Sequence, residues 1–309
     1  MRHVLGIAYH HGMRLPALLH RAARKALEHD CLNLAQSAAY SAIVSLFPAM
    51  VVAAAIIALL PDVAPLKVEI GEFFDEVLPS SAFSLLTSYF VSAPGASQVH
   101  TVRSLILAAI VSVTGGSSVI VTLMEGVRRA QGLPQDCWKG WQRRKRALLM
   151  VPLSLIPLAL ATVVVMFGRI LTEWSAEFLS SAVQPVFYAV ALVVRWSISL
   201  AGVVGLMASI YHFGLPTRQK RVRSLPGAIV ATAMWFVSTL AFGWYVTRFA
   251  NYSLVYGSLG AGIALLFWLY LVFLSVLYGA EFNAQFFQAE ERAAESETAR
   301  TIEQPVEPA

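Results

Sequence analysis

Hydrophobic positions in this chain fall in long unbroken blocks, and the polar residues collect in the gaps between them. Charge-free runs cover 31–61, 104–124, 147–168, 224–247 and 249–280, and a sixth block, 178–217, is interrupted once, by Arg195. A bilayer core about 30 Å thick takes roughly 20 apolar residues of helix at about 1.5 Å per residue. Every block is long enough. The pattern predicts transmembrane helices over about 35–60, 104–124, 147–169, 186–211, 227–247 and 259–281.

The expected fold is an all-α polytopic membrane protein. Residues 1–34 form a cytoplasmic N-terminal segment, 35–285 the six-helix domain, and 286–309 a polar cytoplasmic tail that frays beyond about 295. Within 14–30, Leu15, Leu18, Leu19, Ala22, Ala26 and Leu27 share a helical face, with Arg21, Arg24 and Lys25 around it. This amphipathic helix either lies on an anionic inner leaflet or packs against the cytoplasmic ends of the bundle. The outer loop 62–103 holds apolar pieces near 66–78 and 82–91, split by Pro79-Ser80-Ser81. They are too short and polar to span and read as amphipathic helices on the outer face.

Charge sets the orientation. Only 13% of the residues are charged, against about 25% in a soluble domain, which leaves little chain for a soluble catalytic unit. The 23 Lys and Arg residues alternate by gap: eighteen fall on one side, three on the other, and Arg169 and Arg195 lie within spans. Basic residues mark cytoplasmic loops, so both termini are expected in the cytoplasm. The net charge of +5 is thereby used for topology, and no nucleic-acid partner is expected. Trp138 and Trp141, beside Arg143, Arg144, Lys145 and Arg146, read as interfacial anchors. Cys31 and Cys137 both fall on the cytoplasmic side, which argues against a structural disulfide. The charged first 30 residues lack the apolar core of a cleavable signal peptide.

Candidate chemistry is sparse. Arg195 lies roughly 13 Å into its span, where an arginine costs on the order of 3 kcal/mol. No Asp or Glu lies at similar depth in another span. Its charge must meet carbonyls, hydroxyls, water or a bound anion. Glu125 and Glu281 close their helices at the cytoplasmic face, near Asn33, Gln36 and Asn283. They could form a vestibule that takes cations or protons, or simply be hydrated and paired with Arg128 or Arg129. Pro48 follows Ser45 midway along the first span, Pro152 and Pro157 punctuate the third, and Gly115-Gly116 loosen the second. Such interruptions either expose backbone around a substrate or serve close packing. Gly257, Gly260 and Gly262 lack phosphate-loop spacing and read as a turn and tight packing. His3, His10, His11, His20 and His29 read as a solvated basic segment, not a metal site. No nucleophile–base or metal constellation appears, so no enzyme activity, cofactor or metal is expected.

The first span, LNLAQSAAYSAIVSLFPAMVVAAAII, and two later stretches, PTRQKRVRSLPG at 216–227 and YGSLGAGIALLFWLYLVFLSVLYGAEFNAQ at 256–285, resemble the YihY/BrkB family of bacterial inner-membrane proteins. The resemblance covers about 15–290 and is strongest in the last block. Its motif positions here are Tyr40, Ser45, Phe47, Pro48, Tyr256, Gly257, Gly260, Trp268, Gly279, Glu281 and Asn283. It implies an inner-membrane location and a role in envelope export or lipid handling, without an assigned role for any of these residues. Some members have carried a ribonuclease label, which the absence of clustered cytoplasmic ligands in this sequence does not support. The function expected is transporter-like movement of an anionic amphiphile or envelope lipid, with Arg195, Ser45, Pro48, Glu125, Glu281 and Asn283 as the candidate binding residues and membrane lipids as partners. The alternative is a scaffold that docks envelope partners and transports nothing.

Overall fold

The computed structural model describes residues 15–59, 98–176, 183–216, 221–249 and 258–303. These residues form seven α-helices: α1 (Leu15–Glu28), α2 (Cys31–Leu59), α3 (Gln98–Ala130), α4 (Gly140–Ala176), α5 (Gln184–Phe213), α6 (Leu225–Phe249) and α7 (Ser258–Glu303). Single 3₁₀ turns precede α4 and α6. Among the described residues there is no strand. The outer-face helices expected near 66–78 and 82–91 lie outside the described residues, as do Tyr256 and Gly257.

Five stretches are long and apolar enough to cross a membrane: Cys31–Ala53, Leu105–Ala130, Gln184–Phe213, Leu225–Arg248 and Gly262–Glu291. The sixth expected span falls on α4, which runs unbroken for 37 residues, roughly 55 Å at helical rise. α2 continues through Pro48, and α4 through Pro152 and Pro157. Each proline removes one backbone donor without ending its helix.

α7 departs most from expectation. It continues to Glu303 instead of ending near 281 and fraying beyond 295. Its added length is rich in Ala, Glu, Arg and Gln, residues that lose little on entering a helix. Its first added turns also have a partner. Phe282 and Phe286 pack with Leu18 and Ala22 of α1, and Tyr278 donates its hydroxyl to Leu19 O at 2.9 Å. α1 therefore packs on the bundle. Leu15 and Leu27, assigned to its apolar face by periodicity, are instead exposed.

α7 touches α1, α2, α3 and α6, while α2 pairs with α3 and α4 with α5. The buried core gathers at one end. It draws on Cys31, Ala35 and Ala38 of α2, Leu123, Met124 and Val127 of α3, Met207 and Tyr211 of α5, and Leu277 and Ala280 of α7. This is the end that carries the basic loops. Toward the other end, Leu107, Ile156, Val186, Val193, Val237, Leu240 and Ile263 stand exposed. An apolar belt of this extent is unfavourable in water and suits hydrocarbon.

Two glycines let α6 and α7 meet backbone to backbone. A Cβ on Gly227 would strike Gly279 O and stand 2.5 Å from Asn283 Cβ; one on Gly279 would stand 2.5 Å from Ala231 Cβ and from the Tyr211 hydroxyl. Among the described residues Gly262 has no such neighbour, and the tight glycine packing occurs instead farther along α7, where Gly279 meets Gly227 of α6. Replacing Gly227 with Val should cost about 1–3 kcal/mol and lower the thermal midpoint of the detergent-solubilised protein, whereas Gly262→Val should leave it nearly unchanged. Equal effects at the two positions would contradict this packing.

Candidate functional site

Glu281, His29, Arg129 and Glu125 at the basic end form one network. Glu281, on α7, has no exposed surface. Its Oε1 lies 2.7 Å from His29 Nδ1 and 3.8 Å from Cys31 Sγ, which donates to it. Its Oε2 is buried without a partner among the described residues. His29 sits in the sharp turn between α1 and α2, where Asp30 takes a left-handed conformation (φ 63°) that Asp tolerates better than most residues. This turn directs His29 inward. The histidine is therefore not the solvated residue that the sequence suggested.

The network continues onto α3. Arg129 donates from Nη1 to His29 O at 3.1 Å and from Nε to Glu125 Oε1 at 3.0 Å. Glu125 also receives Arg128 Nη2 at 2.7 Å and Nε at 3.0 Å, and Arg143 of α4 approaches it at 3.3 Å. Arg128 further donates to Leu133 O. The pairing with Arg128 and Arg129 considered from sequence is thus present, and Arg143 adds to it. Three guanidinium groups around one carboxylate tie α3 to α4, while His29 ties α1 and α2 to α7.

Asn283 is buried, and its Oδ1 accepts from Gly227 N at 3.1 Å. Gly227 is in the first turn of α6, where backbone donors lack helical partners. Asn283 satisfies one of them from a neighbouring helix. Asn33 donates to Asp30 Oδ1 at 2.6 Å, and Gln36 is exposed. The structure therefore links Glu125 with Glu281 through His29 and Arg129, and employs Asn283 separately at the α6–α7 contact.

Ser45 and Pro48 lie elsewhere, on α2. Ser45 is buried and donates to Ala42 O at 3.0 Å. A Cβ on Gly115 would stand 2.6 Å from Ser45 Cβ, so this pair marks a close approach of α2 and α3. Of the other motif positions, Tyr40 and Phe47 are exposed, and Trp268 donates to Thr239 Oγ1 at 3.3 Å.

Arg195 stands apart from both groups. It lies eleven residues past the start of α5, roughly 16 Å along the helix. Its stem crosses Gly168 of α4, where a Cβ would stand 3.1 Å from Arg195 Cδ. Thr172 donates to the Gly168 carbonyl at 2.5 Å, and Ser199 to the Arg195 carbonyl at 3.0 Å. Among the described residues, the guanidinium itself finds no hydrogen bond or ion pair. Sequence reasoning missed Gly168, because a single glycine in an apolar helix looks like any packing residue. It missed His29 and Cys31 because their contact with Glu281 spans some 250 residues of chain.

Among the described residues no group of three His, Cys, Asp or Glu side chains is arranged to hold a metal ion. Trp138 and Trp141 divide in role. Trp138 is buried beneath Arg146, whose guanidinium lies 4.4 Å from the ring centre, and only Trp141 is exposed as an interfacial anchor would be.

Removing His29 leaves a buried carboxyl without its nearest partner, a change that typically costs about 1–3 kcal/mol. His29→Ala should therefore lower the thermal midpoint and speed maleimide labelling of Cys31, which is 1% exposed. Adding Glu281→Leu should restore part of the loss, giving a non-additive cycle of about 0.5–3 kcal/mol. Strict additivity would mean that the pair has no energetic role.

The family model described as "Virulence factor BrkB" matches residues 22–302. The chain is 26% identical over 265 residues to a putative ribonuclease-like protein, YfkH, of Bacillus subtilis, covering 83% of this chain and 90% of the relative. It is also 26% identical over 273 residues to a UPF0761 membrane protein of Alkalilimnicola ehrlichii, covering 85% of this chain but 57% of that longer relative. A UPF0761 membrane protein of Ralstonia nicotianae is 26% identical over 281 residues, 59% of its length. No solved structure matches. The family match runs through α1 to α7 and includes both the Glu281 network and the Arg195–Gly168 contact: this chain is a multi-pass membrane protein of the BrkB family.

Proposed function

We propose that this protein moves an anionic amphiphile, such as an envelope lipid, across or out of the bacterial inner membrane, with Arg195 meeting the anionic group. The observation that carries the reading is the state of Arg195: a guanidinium well inside an apolar helix, its stem seated on Gly168, with no protein counter-charge among the described residues. A cation at that depth is favourable only if carbonyls, water or an anion meet it. The reading includes α4 as a sixth span, both termini in the cytoplasm, and no covalent chemistry. The Glu125 and Glu281 networks hold the cytoplasmic end closed, and the proline-bearing helices α2 and α4 supply the irregular backbone a path needs.

A second reading, a docking scaffold, draws on a different observation. α7 continues as helix to Glu303, well beyond the roughly 20 residues a bilayer requires, and offers a partner a surface outside the lipid.

Arg195→Leu separates the two readings. Under transport it should insert and remain monodisperse, yet lose a co-purifying anionic ligand seen by native mass spectrometry of protein released gently from its own membrane. Arg195→Lys should keep part of it. Gly168→Leu, which crowds the stem, should reduce retention as well. Equal ligand profiles in all four proteins would remove Arg195 from any binding role and leave the scaffold.

A further inference from the structure

The N-terminal end of α4 carries a concentration of charge that the described residues leave largely unneutralised. Lys139, Arg143, Arg144, Lys145 and Arg146 fall within eight residues. Among the described residues only Arg143 of the five reaches a carboxylate, Glu125, which Arg128 and Arg129 already engage. Arg146 is occupied by Leu215 O and the Trp138 ring. Arg144 makes one long contact, 3.5 Å to Ser118 Oγ. Lys145 rests 5.2 Å from the centre of the Trp141 ring. Trp138 Nε1 and Arg143 Nε, both donors, are buried without acceptors among the described residues. Donors and positive charge thus exceed acceptors and negative charge throughout this collar.

The same face continues as an apolar strip. Trp141, Leu149, Ile156 and Leu160 are 70%, 71%, 64% and 59% exposed. Their spacing, with Lys145 between the first two, follows successive turns along one side of α4. From Trp141 to Leu160 the strip runs roughly 28 Å, and its first part, to the exposed Pro152, runs roughly 16 Å, about the depth of one leaflet's hydrocarbon. A cationic head, an aromatic ring at the boundary and an apolar track below it match the parts of one lipid molecule in order.

We propose that this end of α4 is a docking site for an anionic phospholipid. Its phosphodiester is held by Arg144 and Lys145, Trp141 lies at its glycerol level, and an acyl chain follows Leu149 as far as Pro152. The inference rests on α4 being one of the proposed spans, but it does not require that the protein transport anything. A docked lipid at this position would also cover the contact between α3 and α4.

The test uses the full chain in detergent, titrated with phosphatidylglycerol, phosphatidylcholine or inorganic phosphate and read by native mass spectrometry. Wild type should retain phosphatidylglycerol at least about tenfold better than phosphatidylcholine. Arg144→Gln with Lys145→Gln should abolish that preference, Arg144→Lys with Lys145→Arg should keep it, and millimolar phosphate should not displace the lipid. Equal retention of both lipids by wild type, an undiminished preference in the glutamine variant, or displacement by free phosphate would each overturn the site. The span is checked separately with Ile156→Cys in a chain carrying Cys31→Ala and Cys137→Ala. Protection of this cysteine from aqueous maleimide in membrane vesicles supports α4 as a span, and full labelling overturns the span and the site with it. Lost lipid preference with a protected cysteine overturns the site alone.

Discussion

Glu281 lies inside the protein with one oxygen 2.7 Å from His29 and the other without a partner among the described residues. Taking a carboxyl group out of water is expensive unless hydrogen bonds replace the lost hydration. The surroundings of Glu281 are arranged to supply that bond. The turn between α1 and α2 directs His29 inward, Arg129 holds the backbone of that turn, and Glu125 holds Arg129. Because α7 contacts α1, α2, α3 and α6, this one buried pair couples most of the bundle. The glycines on the neighbouring face allow α6 close enough for Asn283 to serve its first turn.

A packed basic end and an apolar-surfaced opposite end make a protein with two solvents. At the basic end, side chains interdigitate and ion pairs close the gaps. Farther along, Leu, Ile and Val side chains face outward, and helices are the form that leaves no backbone group unpaired in hydrocarbon. The small residues at the helix contacts are those that permit close approach where lipid supplies no hydrophobic drive. Arg195 is the exception within this second region, and Gly168 is the local adjustment that accommodates its stem.

Much of this was legible in the sequence, because hydrophobic block length is a strong signal in membrane proteins. Five spans fall where the blocks placed them, and α5 and α6 begin and end within two residues of expectation. The C-terminal end of α7 was not legible, because a polar Ala- and Glu-rich segment is compatible with both a frayed tail and a helix, whereas its start at Ser258 falls within one residue of expectation. Nor was the partnership of His29 with Glu281, which joins residues at opposite ends of the chain. Glu125 was legible in part, since Arg128 and Arg129 stand one turn away in sequence, whereas Arg143 reaches it only through the fold. Arg195 was conspicuous by its charge alone, but Gly168, the residue that makes room for it, became visible only when α4 and α5 were placed together.

A transport role requires that Arg195 face a path an anion can enter. Ser199, one turn further along α5, offers a reporter. In membrane vesicles, Ser199→Cys should react faster with a negatively charged methanethiosulfonate than with a positively charged one, and that bias should vanish when Arg195→Leu is added. If the cysteine reacts with neither reagent, or if the bias persists without the arginine, Arg195 does not line an anion-accessible path and the central claim fails.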